Sequence, residues 1–386
     1  MTSFVNRLVT VKEGIIETTA CIVADQDTLA IHPAATAYAY YLANEKGSPK
    51  NTILTYMSTV SNFLTFVAND PKLRGFEDVE DVHVRAYIEG VILKHMKLSP
   101  STANQRISHI ENFYKFCFER GFTEHIPRVY LSESAKRILD EQKGKASSID
   151  PYDLPTQYTT EAEFRDLCSY ITAKRSYESS RDEIVLNLGY LSGLRAHEVT
   201  LTDNLTISKI EKAVSRSQRE NNDGFEIHIM GKGDKSREIF VPEALKRMIQ
   251  RFLAGPRKNV PGDLLICKND GSSLDSEHAS NVFSSAKKAL IDADKAVTSE
   301  FWRKNNEKRS FHSLRHSYAT NLADFCKKNG LSYKLLADRL GHEGDGRAQQ
   351  TLTYIHFAAK KRGDAREADS IATRIISNVT RYRTNG

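Results

Sequence analysis

Apolar residues recur at three- and four-residue intervals through most of this chain, and clean two-residue alternation appears in one place. In NTILTYMSTVSNFLTFVAND, residues Ile53, Tyr56, Met57, Val60, Phe63, Leu64 and Val67 fall on one wide stripe, the period of a helix with a buried face. Ser48 and Pro49 ahead of it read as N-cap and first helical residue. The stretch SPSTANQRISHIENFYKFCFERGF repeats the pattern: Ser99 and Pro100 open it, Ile107, Ile110, Phe113, Tyr114 and Cys117 form its stripe, and Gly121 ends it. Two more helices are expected near 34–46 and 79–96, so residues 31–143 predict a small helical domain. Residues 1–30 read as short, mixed strand-like pieces to which the sequence assigns no role.

GKASSIDPYDLPTQY (144–158) is rich in Ser, Pro and Asp and has no period, which predicts an interdomain linker. Thr160-Glu161-Ala162-Glu163 is a capping-box signature that opens a second domain, residues 159–364. Within it FEIHIM and SREIFVP alternate on either side of GKGDK, the pattern of a β-hairpin. Helical periodicity surrounds the hairpin on both sides. After it, residues 365–386 set Ala368, Ile371, Ile375 and Val379 on one face of a terminal helix. The expected fold is mainly α with a small β-hairpin in the second of two domains.

With 40% hydrophobic and 27% charged residues, the composition is that of an ordinary globular protein. No apolar run approaches the ~20 residues of a membrane span, and MTSFVNRLVTVKEG lacks the layout of a signal peptide; a cytoplasmic protein is expected. The five cysteines are scattered with no CxxC pair, which predicts free thiols rather than a disulfide framework or a cysteine zinc site. Charge sharpens the picture. Acidic and basic residues balance over 1–145, so the net +6 falls entirely in the remainder. Such a field favours a polyanionic partner, of which nucleic acid is the commonest.

Four stretches concentrate the chemistry: LSGLRAHEV (191–199), IMGKGDKSR (229–237), FHSLRHSYAT (311–320), and LGH followed by TLTYIHF (340–357). Singly each has a plain explanation. Arg195 with Glu198 suits a helix-surface ion pair, Lys232 or Lys235 a soluble turn, His312 a hydrogen-bonded core histidine, and Tyr354 is one of 16 tyrosines. His312, His316 and His342 have a spacing a metal would accept, but Ser313 stands where zinc proteases carry their Glu. His316, one helical position from Arg315, reads as structural.

Taken in order, GLRxxE, GKGxKxR, HxLRH and LGH followed by TxxY resemble the tyrosine recombinases of the phage-integrase family. The resemblance covers about 160 to 357, and the helical domain before it fits the family's core-binding domain. It implies a two-domain clamp around double-stranded DNA with specific recombination sites. It also implies a site whose parts are chemically necessary. Phosphodiester cleavage adds negative charge to the non-bridging oxygens, and fixed cations stabilise that state beyond the ground state; an arginine does so with a planar fork. By resemblance Arg195 and Arg315 clamp the phosphate, and His312 and His342 hydrogen-bond it. Tyr354 is the nucleophile that forms a 3′-phosphotyrosyl bond, Lys232 the general acid, His312 the base or proton relay, and Glu198 the residue that holds Arg195. No cofactor, metal or ATP is implied. The implied partners are a homo-tetramer on synapsed DNA, with residues 365–386 as a protomer–protomer contact, and an accessory directionality protein.

The chain between His342 and Tyr354, containing EGDGRAQQ, is longer than the family's usual interval. It reads as a longer loop and leaves open whether the tyrosine acts in its own site or a neighbour's. Rival readings are a type IB topoisomerase-like enzyme, a DNA-binding protein without catalysis, and a metallohydrolase. A mobile-element recombinase is expected over a housekeeping resolvase, on account of the extra N-terminal segment.

Overall fold

The computed structural model describes residues 2–13, 16–140, 154–231, 236–293, 308–342 and 345–363. It divides into two compact units, Met1–Ala146 and Ser147–Gly386.

The first unit opens on a hairpin of β1 (Phe4–Glu13) and β2 (Ile16–Asp25), antiparallel from Phe4↔Asp25 to Glu13↔Ile16. Five helices follow: α1 (Pro33–Tyr40), α2 (Lys50–Ala68), α3 (Asp81–Ala86), α4 (Pro100–Glu119) and α5 (Glu133–Asp140). The helices expected near 34–46 and 79–96 are α1 and α3, each running on into a π-helical stretch, Tyr41–Glu45 and Tyr87–His95. Both periodic stripes point inward. Ile53, Met57, Val60, Phe63, Leu64 and Val67 meet Ile107, Ile110, Phe113, Tyr114 and Cys117 in one core. Ser99 caps α4 by accepting from the Thr102 amide, with Pro100 in the first turn, but the residue capping α2 is Pro49, not Ser48. The N-terminal hairpin belongs to this core. Cys21 and Val23 are fully buried in it, and the Phe4 amide donates to Thr65 Oγ1 at 2.9 Å. Thr and Val are mixed along both strands, so no strict alternation marked them in the sequence.

The second unit contains α6 (Leu154–Gln157), α7 (Glu161–Ser169), α8 (Ser176–Ser192), α9 (Ala196–Thr200) and α10 (Ile207–Arg219). The expected hairpin follows as β3 (Phe225–Met230) and β4 (Ser236–Val241), then α11 (Glu243–Ala254) and α12 (His278–Ala293). Last come α13 (Phe311–Lys328), α14 (Lys334–Leu340) and α15 (Asp345–Arg362). The Thr160–Glu163 capping box forms as the sequence predicts. Helix α13 lies centrally, packed on α8 and on α15. Ala319 and Ala323 of α13 share a small core with Leu336, Leu340, Tyr354, Ile355 and Ala358. The tyrosine-bearing helix is thereby fixed to the helix that carries the histidines.

Three expectations meet the structure here. Inside the stretch read as linker, residues 154–157 are helical and Leu154 is fully buried, while 144–153 lie outside the described residues. EGDGRAQQ is not a long loop, because α15 already begins at Asp345 within it. The C-terminal stripe of residues 365–386 lies outside the described residues. All five cysteines are free thiols. Among the described residues no helix is long and apolar enough to cross a membrane.

Candidate active site

Helix α8 ends at Gly193, whose φ of 68° is left-handed, a common way to terminate a helix. The chain reverses there and offers Arg195 as the N-cap of α9. Glu198, one turn on, has no solvent exposure. Its carboxylate accepts from the Arg195 amide at 2.7 Å and from Arg195 Nη1 at 2.9 Å. A second arginine meets it face on: Arg237 of β4 donates Nη1 and Nη2 to the two oxygens, each at 2.6 Å. Burial alone would raise the Glu198 pKa, but the Arg237 fork and charge, then Arg315 and the Arg195 amide, hold it at about 2. Arg195 and Glu198 are therefore not a surface pair. Asn204 ties the same corner to the hairpin, donating to Glu198 O and Met230 O at 2.9 and 3.0 Å and accepting from the Met230 amide at 2.6 Å.

Arg315, on α13, is 1% exposed. Its Nη1 donates to Gly193 O at 2.5 Å and its Nη2 to Leu340 O at 2.6 Å, so one guanidinium joins the turn before Arg195 to the turn before His342. Burial, with the charges of Arg195 and Arg237, lowers its pKa to about 9, and it stays a cation at neutral pH. Arg237 reaches the same turn through Nε, which donates to Arg339 O at 3.1 Å. Gly341 then takes a left-handed φ of 63°; a Cβ there would sit 3.0 Å from Arg237 Cδ. This tight turn presents His342, whose Nδ1 lies 2.9 Å from Thr351 Oγ1.

Tyr354 lies in the middle of α15 and is 2% exposed. Its ring stacks on His342 with centroids 6.4 Å apart and planes 17° apart. Its hydroxyl is 2.8 Å from His316 Nδ1. Burial raises the tyrosine pKa above its ordinary value, while the Arg315 and Arg195 charges pull the other way; the hydroxyl therefore lies within the field of both arginines. His312 packs edge-on to His316, centroids 4.5 Å apart and planes at 84°. Its side chain reaches solvent, yet the protein crowding it, then Arg315 and Arg195, draw its pKa down to about 4.

The structure thus gathers Arg195, Glu198, His312, Arg315, His342 and Tyr354 in one place, and Lys232 lies outside the described residues. Two participants escaped the sequence reading. Arg237 lies within GKGDKSR, where the motif assigns it no task, although it shares a strand face with buried Ile239 and Val241. A charge on an inward face requires a partner, which was the available signal. His316, which reads as structural in the sequence, is the residue hydrogen-bonded to the tyrosine. Among the described residues no three His, Cys, Asp or Glu side chains gather as a metal-binding group.

Two cations and several imidazoles around a buried tyrosine hydroxyl suit stabilisation of a developing oxyanion and attack by that hydroxyl. Comparison with known proteins supplies the class. The phage integrase family model matches residues 157–361, and the N-terminal SAM-like domain of phage integrases matches 35–121. The chain is 24% identical over 332 residues to a tyrosine recombinase of Pseudothermotoga lettingae, covering 85% of this chain and 95% of that protein. It is 22% identical over 331 residues to tyrosine recombinase XerD of Oceanobacillus iheyensis, covering 84% and 94%. Among solved structures, XerH recombinase in a post-cleavage complex with its palindromic difH substrate matches with a TM-score of 0.55 and 19% identity, over 86% of this chain and 83% of that one. That likeness concerns the fold. This chain belongs to the phage integrase family and is a tyrosine-type, site-specific DNA recombinase.

Proposed function

We propose that the enzyme cuts and rejoins double-stranded DNA through a 3′-phosphotyrosyl bond on Tyr354, without metal or ATP. The two units grip a duplex, and four protomers act on two synapsed sites. In each active protomer Arg195 and Arg315 neutralise the charge that builds on the non-bridging oxygens, and His312 and His342 hydrogen-bond the same phosphate. Lys232 protonates the departing 5′-oxygen. Glu198 keeps the Arg195 fork aimed, since it fixes both its amide and its guanidinium. Energy of the broken phosphodiester is kept in the tyrosyl ester, so rejoining needs no ATP. Exchange of strands one pair at a time through a Holliday junction completes the reaction.

The observation that supports this most directly is the placement of the Tyr354 hydroxyl. It is held by an imidazole at 2.8 Å in the field of two arginines that come from distant parts of the chain. The test is a strand-exchange assay on paired duplexes carrying the DNA that flanks the gene, with chelator and without ATP. The reading expects recombinant products from wild type. It expects Arg315→Ala to bind the same DNA while cutting roughly 10²–10³-fold more slowly, the usual loss of one transition-state donor. A requirement for a divalent cation, or normal cutting by Arg315→Ala, would refute it.

A further inference from the structure

A tyrosine buried this deeply must lose its proton as it attacks phosphorus, and the resemblance nominates His312 for that task. The geometry points elsewhere. Among the described residues the hydrogen-bond partner of Tyr354 Oη is His316 Nδ1, at 2.8 Å, within the reach required of a general base. We infer that His316 accepts the Tyr354 proton during cleavage and returns it during rejoining. This rests on Tyr354 being the nucleophile, as proposed above.

The surroundings of His316 suit an acceptor. It is buried in the second turn of α13, its ring is braced by the edge of His312, and the ring of its partner is braced by His342. Three titratable or charged groups face it: His312 and Arg315 from its own helix, and Tyr354 from α15. Burial, then His312 and Arg315, hold its pKa well below the ordinary histidine range, so the ring is neutral; the inferred role requires the tautomer with the proton on Nε2 and the Nδ1 lone pair toward the hydroxyl. Before DNA binds such a ring is a weak base. The phosphodiester brings a negative charge beside Arg315 and so favours the imidazolium.

The Tyr354 O–H bond breaks and its proton passes to His316 Nδ1. Oη forms its bond to phosphorus while the bond from phosphorus to O5′ breaks, and O5′ takes a proton from the separate donor assigned to Lys232. In rejoining, the 5′-hydroxyl gives its proton back to that donor as its oxygen bonds to phosphorus, the bond from phosphorus to Oη breaks, and His316 Nδ1 returns its proton to the leaving tyrosyl oxygen. His312 then belongs to the phosphate rather than to the tyrosine.

The experiment is single-turnover formation of the covalent adduct on nicked duplexes tiling the DNA that flanks the gene, across a range of pH, for wild type, Tyr354→Phe, His312→Asn and His316→Asn. Asparagine keeps a hydrogen-bonding group near the Nδ1 position but does not titrate. The expected result for His316→Asn is unchanged DNA affinity with adduct formation slowed on the order of 10²–10³-fold. That deficit should narrow as rising pH ionises the tyrosine directly, whereas the deficit of His312→Asn should not. Equal rates for His316→Asn and wild type at every pH would reduce His316 to packing. A faster His316→Asn would make the bond a latch on a resting tyrosine. Either outcome overturns the inference while leaving the nucleophile in place. If Tyr354→Phe still forms the adduct, the nucleophile assignment fails and this inference fails with it. A second readout uses the full chain with ¹⁵N-labelled histidine: one Nδ1 resonance should move on Tyr354→Phe, and no movement would remove the contact on which everything here depends.

Discussion

Glu198 is the residue on which the site's electrostatics turn. A carboxylate with no solvent exposure would be costly alone, yet four donated hydrogen bonds from Arg195 and Arg237 satisfy it. Removing one partner of a buried pair leaves the other charge uncompensated, typically a loss of 3–5 kcal/mol. Arg237→Met should therefore lose roughly that much in urea unfolding. Its effect on cutting should follow from a slack Arg195 rather than from lost DNA affinity, so a loss confined to affinity would be contrary evidence. The pH dependence has a definite sign. The Glu198 pKa is depressed from an ordinary 4.5 to about 2, so its stabilisation is complete above about 4.5 and drains away as pH falls toward 2. Glu198→Gln should flatten the stability profile across that window, and a profile that keeps the wild-type slope would assign the acid sensitivity to other carboxylates. At this scale the sequence told a good deal. The motifs named Arg195, Glu198, His312, Arg315, His342 and Tyr354, which the structure brings together. The tasks of Arg237 and His316 are set by partners 39 and 38 residues away; strand alternation puts Arg237 on an inward face, but local spacing names neither partner.

At the scale of elements, two glycines aim the site. Gly193 and Gly341 each end a helix in the left-handed region, which costs a residue with a side chain roughly 1–2 kcal/mol. Their surroundings differ. A Cβ on Gly193 would overlap the Tyr318 ring, while one on Gly341 would only press on the Arg237 stem, 3.0 Å from its Cδ. Gly193→Ala should lower the melting temperature more than Gly341→Ala, and both should slow cutting because Arg195 and His342 follow these turns; the reverse order would contradict this account of the turns. Helical stripes in α2 and α4 and the β3–β4 hairpin were legible because each obeys one period over a long enough run. The strand character of residues 1–30 was legible but the pairing of β1 with β2 was not, since threonine and valine occupy both faces; the early start of α15 was not legible either, because Gly346 is a weak helix former. The N-terminal hairpin is a structural part of its unit. Deleting residues 1–30 removes Cys21 and Val23 from the core, and should expose that unit to proteolysis well below the wild-type melting temperature; an equally resistant truncated chain would show that the hairpin is dispensable.

At the scale of the whole molecule, charge and chemistry point to one partner. The excess of basic residues lies wholly beyond residue 145, in the part of the chain that carries the arginines and the tyrosine. Affinity for DNA should therefore fall log-linearly with salt, as counterion release requires, and binding that is indifferent to salt would contradict the grip proposed for the two units. The central claim, however, concerns a bond rather than an affinity. The decisive measurement is a denaturing gel of wild type and Tyr354→Phe incubated, with chelator present, on nicked duplexes from the DNA flanking the gene. The account predicts a protein–DNA adduct for wild type that is absent for Tyr354→Phe, with the linked peptide containing Tyr354. Adducts from both proteins would mean that another residue attacks the phosphate, and the assignment of the nucleophile would be wrong.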